Sequence, residues 1–308
     1  MTTTVLVPDE YGVAQLAGVD GVRALHYDTG KPLTGGLSSE DLGSAEVLVP
    51  PVLGDGSPEL VAALPRLRLV QLLTAGYETW DGLVPEGVAL STGRGAHGGS
   101  TAEWVLATLL ALQRDLPGFV RAQDRGEWDF HRTGTLLGAR VLVVGAGDVG
   151  QQIVQRLGPF EVTATMVGRR PREGVRSMLE LPDLLGGHDA VVLAVPLTEQ
   201  TRRLADADFL ARMPDGAVLV NAARGPVVDT GALVIELQAG RLRAALDVTD
   251  PEPLPAGHPL WRAPGVLITP HVGGSVTGAL ERAYAVAAQQ IAQFVTGRDP
   301  ANLVRDKG

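Results

Sequence analysis

The sequence predicts an α/β protein built from two Rossmann-like, doubly wound parallel sheets, and three observations carry that expectation. Short apolar, β-branched runs recur along the chain, bounded by Gly, Pro, Asp and Asn, as suits strands covered on both faces. Amphipathic helical stretches separate them, and strand–helix alternation of this kind builds parallel sheets with helices on both sides. At 308 residues the chain has the length of two domains, at roughly 100–200 residues each.

In order, the apolar runs lie at residues 5–7, 22–27, 45–49 and 67–73 and then at 141–144, 162–167, 190–195, 217–220, 244–248 and 266–269. Helical patterns fall at 58–64, 102–112, 149–157, 232–238 and 280–294. The Gly-dense stretch at 93–100, just before a long apolar helix, reads as a hinge. The expected division is a substrate-binding domain of residues 1–96 plus 276–308 and a dinucleotide-binding domain of residues 97–275, the last helix returning to the first domain.

Composition narrows the function classes. Hydrophobic residues at 45% and charged residues at 20% are ordinary for a folded protein and exclude general disorder. The formal charge of −9 repels a phosphate polymer, so no nucleic-acid partner is expected, although a local Arg cluster can still bind a small anion. Cysteine is absent, which removes thiol catalysis, Cys-ligated zinc, iron–sulfur clusters and disulfides; no metal is expected. The N-terminal residues lack a basic and then apolar leader, and no apolar run reaches the ~18 residues of a membrane span, so a soluble cytoplasmic protein is expected.

The chemistry starts at Gly145-Ala146-Gly147-Asp148-Val149-Gly150, a GxGxxG turn between an apolar strand and a helix. Gly145 permits the tight turn, Gly147 lets a pyrophosphate approach the backbone, and Gly150 allows close helix–strand packing. The helix N-terminus then offers N–H groups and a positive dipole end to the phosphates. An NAD site usually places a carboxylate about 20 residues on, for the ribose 2′-hydroxyl. Here that strand ends in Gly168-Arg169-Arg170-Pro171-Arg172, and guanidinium groups match a 2′-phosphate in charge and fork geometry. NADP(H) is expected over NAD(H), with NAD(H) use still open and an ordinary exposed basic loop as the bland alternative.

Three further segments each begin at the C-terminal end of an expected parallel strand: Asn221-Ala222-Ala223-Arg224-Gly225, Asp247-Val248-Thr249-Asp250-Pro251-Glu252-Pro253 and Thr269-Pro270-His271-Val272-Gly273-Gly274. Open α/β sheets bind ligands at that edge, so Arg224, Glu252 and His271 can meet in one crevice although distant in sequence. With Thr74-Ala75-Gly76-Tyr77-Glu78 and Thr101-Ala102-Glu103 upstream, these motifs in this order strongly resemble the D-isomer-specific 2-hydroxyacid dehydrogenase family over nearly the whole chain. The Arg-rich turn and Asp247-Val248-Thr249 are most similar to its NADPH-dependent glyoxylate/hydroxypyruvate reductase branch.

The resemblance implies a formate/glycerate dehydrogenase-like pair of domains, with the active site in the cleft between them, and reversible reduction of a small 2-keto acid to the D-2-hydroxy acid. Arg224 would hold the carboxylate and polarise the carbonyl, where negative charge develops. His271 would give or take the proton, since imidazole is the side chain suited to proton exchange near neutral pH. Glu252 would hydrogen-bond the other imidazole nitrogen, with Asp250 a rival for that role. Asp247 would accept from the nicotinamide amide. The resemblance adds Asp148, Val149, Val195, Pro196, Thr201, Ala222, Ala223, Arg224, His271, Gly273 and Gly274 to the cofactor contacts, and gives the substrate carboxylate the backbone N–H groups of Ala75 and Gly76. It also implies a homodimer, formed by the helix near Thr101 and the arm that follows.

Other readings on the same fold are a dinucleotide-responsive corepressor-type protein and a 3-phosphoglycerate dehydrogenase. An amino-acid dehydrogenase would need a lysine in the site, and Lys31 and Lys307 both lie outside the motifs. His97, Trp104, Trp128 and Trp261 read as core or interface packing, Trp128 also as lining a pocket or dimer seam.

Overall fold

A computed structural model describes residues 2–30, 36–52, 58–80 and 82–304; the two lysines, Lys31 and Lys307, lie outside the described residues. The chain divides into two compact units, one of residues up to His97 together with those from Thr277, the other of residues Gly98–Val276.

The first unit contains β1 (Thr3–Val7), α1 (Glu10–Leu16), β2 (Val22–His26), α2 (Ser39–Ser44), β3 (Ala45–Leu48), α3 (Pro58–Ala62), β4 (Leu69–Gln71) and β5 (Ala89–Ser91). Its strands form a parallel sheet in the order β2-β1-β3-β4-β5. Val5, Leu6 and Val7 of β1 are fully buried, Leu6 in one apolar layer and Val5 and Val7 in the other. Successive strand side chains point to opposite faces, so a central strand must be apolar throughout. Asp9 opens α1 by accepting from the Gly12 N–H at 2.7 Å.

The second unit begins with α4 (Gly98–Gln113) and α5 (Leu116–Asp124) and continues with β6 (Arg140–Val144), α6 (Asp148–Leu157), β7 (Thr163–Gly168), β8 (Val175–Ser177), α7 (Leu181–Leu184) and β9 (Ala190–Leu193). It ends with α8 (Ala207–Arg212), β10 (Val218–Asn221), α9 (Thr230–Gln238), β11 (Arg243–Leu246) and β12 (Val266–Ile268). Its seven strands are parallel in the order β12-β11-β10-β9-β6-β7-β8. After β8 the chain crosses back to lay β9 on the other side of β6, so the strand order reverses between β6 and β9. Ligands bind outside the carboxyl ends of strands at such a switch point. The chain then returns to the first unit as α10 (Ala279–Val295), whose buried Tyr284 donates to Asp9 Oδ2 at 2.8 Å. A side chain at Gly12 would meet the Tyr284 hydroxyl at 2.5 Å and its ring at 2.6 Å, which is why α1 carries a glycine there.

His97 and the tryptophans Trp104, Trp128 and Trp261 divide. His97 Nε2 lies 2.9 Å from the Leu73 carbonyl, and Trp104 packs, part-buried, on an apolar layer of the second unit. Trp128 is 97% exposed and Phe130 88%, so core packing is wrong for Trp128. Trp261 is also exposed and donates from its indole to the Pro255 carbonyl at 2.9 Å. Among the described residues no helix is long and apolar enough to cross a membrane.

Candidate active site

The glycine turn follows β6, whose residues Val141 to Val144 are wholly buried. Gly145 has φ +123°, and a side chain there would run into the Ala194 backbone at the end of β9. A side chain at Gly150 would strike the Gly145 carbonyl, so this glycine lets α6 start hard against the turn. Gly147 differs: nothing stands within 4 Å of where its Cβ would be. It is the N-cap of α6 and brings no side-chain acceptor of its own, so open backbone leads into the first turn of that helix, where Asp148 and Val149 follow.

Beside this turn, β7 ends at Gly168, where a Cβ would sit 2.9 Å from the Ala146 Cβ. Arg169 and Arg170 are exposed. Arg172 folds back, its guanidinium donating to the Ala146 carbonyl at 2.9 Å and to the Arg170 carbonyl at 3.4 Å. Paired backbone hydrogen bonds between Arg172 and Val175 close the loop. The basic loop therefore lies against the glycine turn.

After β9, Val195 and Pro196 open a loop that Thr201 holds in shape, its hydroxyl donating to the Pro196 carbonyl at 2.6 Å and accepting the Thr198 N–H at 2.8 Å. After β10, the buried Asn221 clamps the next turn, donating to the Arg224 carbonyl at 3.0 Å and accepting the Ala223 N–H at 3.1 Å. Ala222 joins that turn to β9 through a 3.1 Å bond to the Leu193 carbonyl. Arg224 is part-buried and donates to the Ala223 carbonyl at 2.7 Å. A side chain at Gly225 would collide with the Thr249 carbonyl, so the Arg224 turn is pressed against the loop after β11.

That loop carries Asp247 and Glu252. Glu252 Oε1 lies 2.7 Å from His271 Nδ1, and both side chains are nearly half exposed. The Thr249 N–H donates to Glu252 Oε2 at 3.4 Å and the Thr249 hydroxyl to the Pro251 carbonyl at 2.9 Å, folding the glutamate back over its own strand end. The carboxylate on the imidazole is thus that of Glu252, and Asp250 is held through its backbone carbonyl by the Thr230 hydroxyl at 3.0 Å.

His271 has φ +55°, an unfavourable left-handed backbone for a non-glycine residue. Its N–H donates to the Asp247 carbonyl at 2.7 Å. The 95% buried Asp247 carboxylate accepts from the Thr269 hydroxyl at 2.7 Å, the Val272 N–H at 2.9 Å and the Gly273 N–H at 2.8 Å. Gly273 is buried with the Asp247 carboxylate 2.9 Å from where a Cβ would stand, and Gly274 follows, part-buried. Asp247 is thus the clamp of the histidine loop, and three of its four lone-pair positions are taken.

Arg224, Glu252 and His271 therefore follow three successive neighbouring strands, β10, β11 and β12, at one edge of one sheet. In the first unit, Ala75 and Gly76 lie in the loop after β4, where the Thr74 hydroxyl donates to the Gly76 carbonyl at 2.9 Å. Sequence reasoning missed Asn221 and Thr249 as loop-holding groups. The one available signal was a polar residue closing an otherwise apolar strand.

A sequence profile described as D-isomer specific 2-hydroxyacid dehydrogenase, NAD binding domain, matches residues 106–273. The chain is 32% identical to the glyoxylate reductase of Thermofilum pendens over 263 residues, 80% of this chain and 77% of that protein. Among solved structures it is similar to a D-isomer specific 2-hydroxyacid dehydrogenase of Xanthobacter autotrophicus Py2 in complex with NADPH and MES, with a TM-score of 0.85 and 30% identity over 98% of both chains. It is also similar to the NADPH-dependent glyoxylate/hydroxypyruvate reductase of Sinorhizobium meliloti in complex with NADP and sulfate, with a TM-score of 0.83, 26% identity, and 99% of this chain and 98% of that one covered. Two parallel-sheet units, a nucleotide-type glycine turn and a profile match over more than half of the sequence agree: the chain belongs to the D-isomer specific 2-hydroxyacid dehydrogenase family and is an NAD(P)-dependent oxidoreductase.

Proposed function

We propose that the protein reduces a small 2-keto acid of the glyoxylate or hydroxypyruvate class to the D-2-hydroxy acid, with NADPH as the preferred reductant. The observation that carries this reading is the 2.7 Å contact between His271 Nδ1 and Glu252 Oε1, made by a histidine held in a left-handed backbone. A carboxylate on Nδ1 fixes that nitrogen as a donor and leaves Nε2 to exchange a proton with a ligand. In reduction Nε2 gives its proton to the carbonyl oxygen; in oxidation it takes the proton back. Arg224 holds the substrate carboxylate and stabilises the negative charge that builds on the carbonyl oxygen. The amides of Ala75 and Gly76 bind the same carboxylate.

The glycine turn fits a dinucleotide, because the one glycine with free space beyond it, Gly147, sits where α6 begins. Gly145, Gly147, Asp148, Val149 and Gly150 hold the pyrophosphate, and Arg169, Arg170 and Arg172 the 2′-phosphate. Val195, Pro196, Thr201, Ala222, Ala223, Gly273 and Gly274 border the remainder, and Asp247 keeps one lone pair for the nicotinamide amide. When bound, the reduced nicotinamide supplies the hydride. The solved relatives in complex with NADPH and with NADP support this choice of cofactor. Self-association into a homodimer is part of the proposal: Trp128 and Phe130, on the arm after α5, present exposed aromatic surface of the kind interfaces cover.

The test is loss of NADPH absorbance against glyoxylate, hydroxypyruvate, pyruvate and phenylpyruvate, with NADH in parallel and chiral analysis of the glycerate, lactate and phenyllactate formed, glycolate being achiral. His271→Ala is expected to lower kcat by roughly 10²–10⁴, the range for losing a general acid. Near-normal turnover in that variant overturns the proton-donor role, and a clear preference for NADH overturns the cofactor choice. An L product overturns the stereochemistry.

A further inference from the structure

We infer that Asn302 is a positioning residue for the substrate carboxylate, setting the 74–77 loop from the far end of the chain with Arg94 as its partner. The inference rests on the proposed role of the Ala75 and Gly76 amides.

Asn302 belongs to none of the motifs, yet it is 91% buried and uses every polar group it has. Its side-chain amide donates to the Thr92 carbonyl at 3.1 Å and the Arg94 carbonyl at 2.9 Å, and its Oδ1 accepts from Arg94 Nε at 3.2 Å. Its backbone N–H donates to Gln290 Oε1 at 2.9 Å, and its backbone carbonyl accepts the Thr92 N–H at 3.1 Å. Arg94 also donates to the Ala301 carbonyl at 3.2 Å. Residues 92–94 are thereby gripped from both sides of one asparagine.

The gripped segment is the wall behind the carboxylate loop. The Gly93 N–H donates to the Thr74 carbonyl at 2.7 Å. A Cβ at Gly93 would sit 2.5 Å from the Leu73 carbonyl, so backbone lies directly on backbone with no side chain to absorb a shift. The buried Gln71 amide bridges the same two stretches, donating to the Leu72 carbonyl at 2.9 Å and the Thr92 carbonyl at 3.2 Å. Thr74 then fixes Gly76 through its hydroxyl. A displacement of residues 92–94 therefore passes through 73–74 to the two amides.

Amides recognise a carboxylate well only when they are already aimed, within about 0.5 Å of the productive geometry. Surface loops lack that rigidity by default. Here it comes from a polar network of the first unit, closed by the C-terminal segment, which pairs along β5 through Leu303 with Ser91 and through the Val304 N–H to the Leu90 carbonyl. An apolar residue at 302 would fill the space but would leave the Thr92 and Arg94 carbonyls without these donors.

The test uses the full chain with NADPH and glyoxylate, and oxalate as a competing dicarboxylate. Asn302→Ala is expected to raise KM for glyoxylate and Ki for oxalate together by about tenfold, because its two amide bonds to the Thr92 and Arg94 carbonyls are lost. In this variant kcat should stay within about threefold and Kd for NADPH, read by fluorescence, should not change. Arg94→Met, a surface change that removes part of the grip, should shift KM and Ki in the same direction by a smaller factor, and decides the matter if the alanine variant does not fold. Gly76→Pro, which deletes one of the amides, checks the parent reading. If it leaves KM unchanged, the carboxylate role of the loop falls and the inference with it. If Gly76→Pro raises KM while Asn302→Ala and Arg94→Met lower only Tm, or weaken NADPH binding equally, Asn302 is a fold residue and the inference alone is overturned.

Discussion

Asp247→Ala isolates how His271, the proposed proton donor, is held. The carboxylate accepts three hydrogen bonds at 2.7–2.9 Å, two from backbone N–H groups of the histidine loop and one from Thr269. Hydrogen bonds to a charged group contribute about 1.5–3 kcal/mol each. Removing the side chain also removes the cost of burying its charge, so the net loss is smaller, roughly 2–4 kcal/mol in total. Against this clamp works the left-handed backbone at His271, φ +55°, which costs a non-glycine residue roughly 1–2 kcal/mol. Without the clamp the loop relaxes, and the strain alone lowers the competent population by about 5–30-fold. The expected result is a kcat for glyoxylate reduction down by that factor at saturating NADPH, with Tm lower by roughly 5–10 °C. Asp247→Asn is no rescue: its NH₂ group replaces one oxygen and faces either Gly273 N–H or the Val272 and Thr269 donors. Thr269→Val, which deletes one neutral donor, should cost under about threefold in kcat. Measuring Kd for NADPH separates this loss from any contact with the nicotinamide amide. An alanine variant that keeps kcat within twofold while Tm falls would refute the reasoning, because the loop would then hold His271 unaided.

Glu252→Gln keeps the shape of the Nδ1 contact and removes its charge; kcat should fall by about 10–100-fold, with KM for the keto acid little changed, and full activity would show that the dyad needs no carboxylate. Replacing Arg170 and Arg172 together by alanine should raise KM for NADPH about tenfold or more and leave NADH turnover nearly untouched, so an equal loss with both cofactors would detach the basic loop from the 2′-phosphate. Light scattering at micromolar concentration should give the mass of the proposed homodimer for the parent chain and of a monomer for Trp128→Ala with Phe130→Ala, which removes surface 97% and 88% exposed in the single chain; a monomeric parent would overturn the dimer, and a dimeric variant would place self-association elsewhere.

What the sequence discloses depends on how local the physics is. Strands β6, β9 and β10 are readable because burial on both faces demands an unbroken apolar run, and Val141 to Val144 supply one. Strands β5 and β8 escape notice: each has three residues and lies towards a sheet edge, where pairing, not hydrophobicity, defines it. Helices α1, α2 and α8 are too short for a periodic signal and the sequence reading passes over them; Asp9, Ser38 and Asp206, which cap them through their side chains, are the local signal left unused. The aromatic character of Trp128 suggested cover that its own chain does not provide.

The same division runs through the site. Each glycine of the 145–150 turn has a reason within a few residues or on the next strand, so spacing sufficed to assign it. The groups that aim the chemistry act at long range: Asp247 reaches residues 22–26 positions away, and Asn302 reaches back across 208–210. No period or motif encodes such a contact, since it exists only after the sheet has brought the strand ends together. An aspartate after an apolar strand and an asparagine near the end of the described residues look like solvated polar residues until the structure shows them buried, with three bonds to the aspartate carboxylate and every polar group of the asparagine engaged. Burial combined with several hydrogen bonds to the backbone of a neighbouring loop is therefore the sign that separates positioning residues from surface ones in this fold, and it selects Asp247, Asn221 and Asn302 before any assay does.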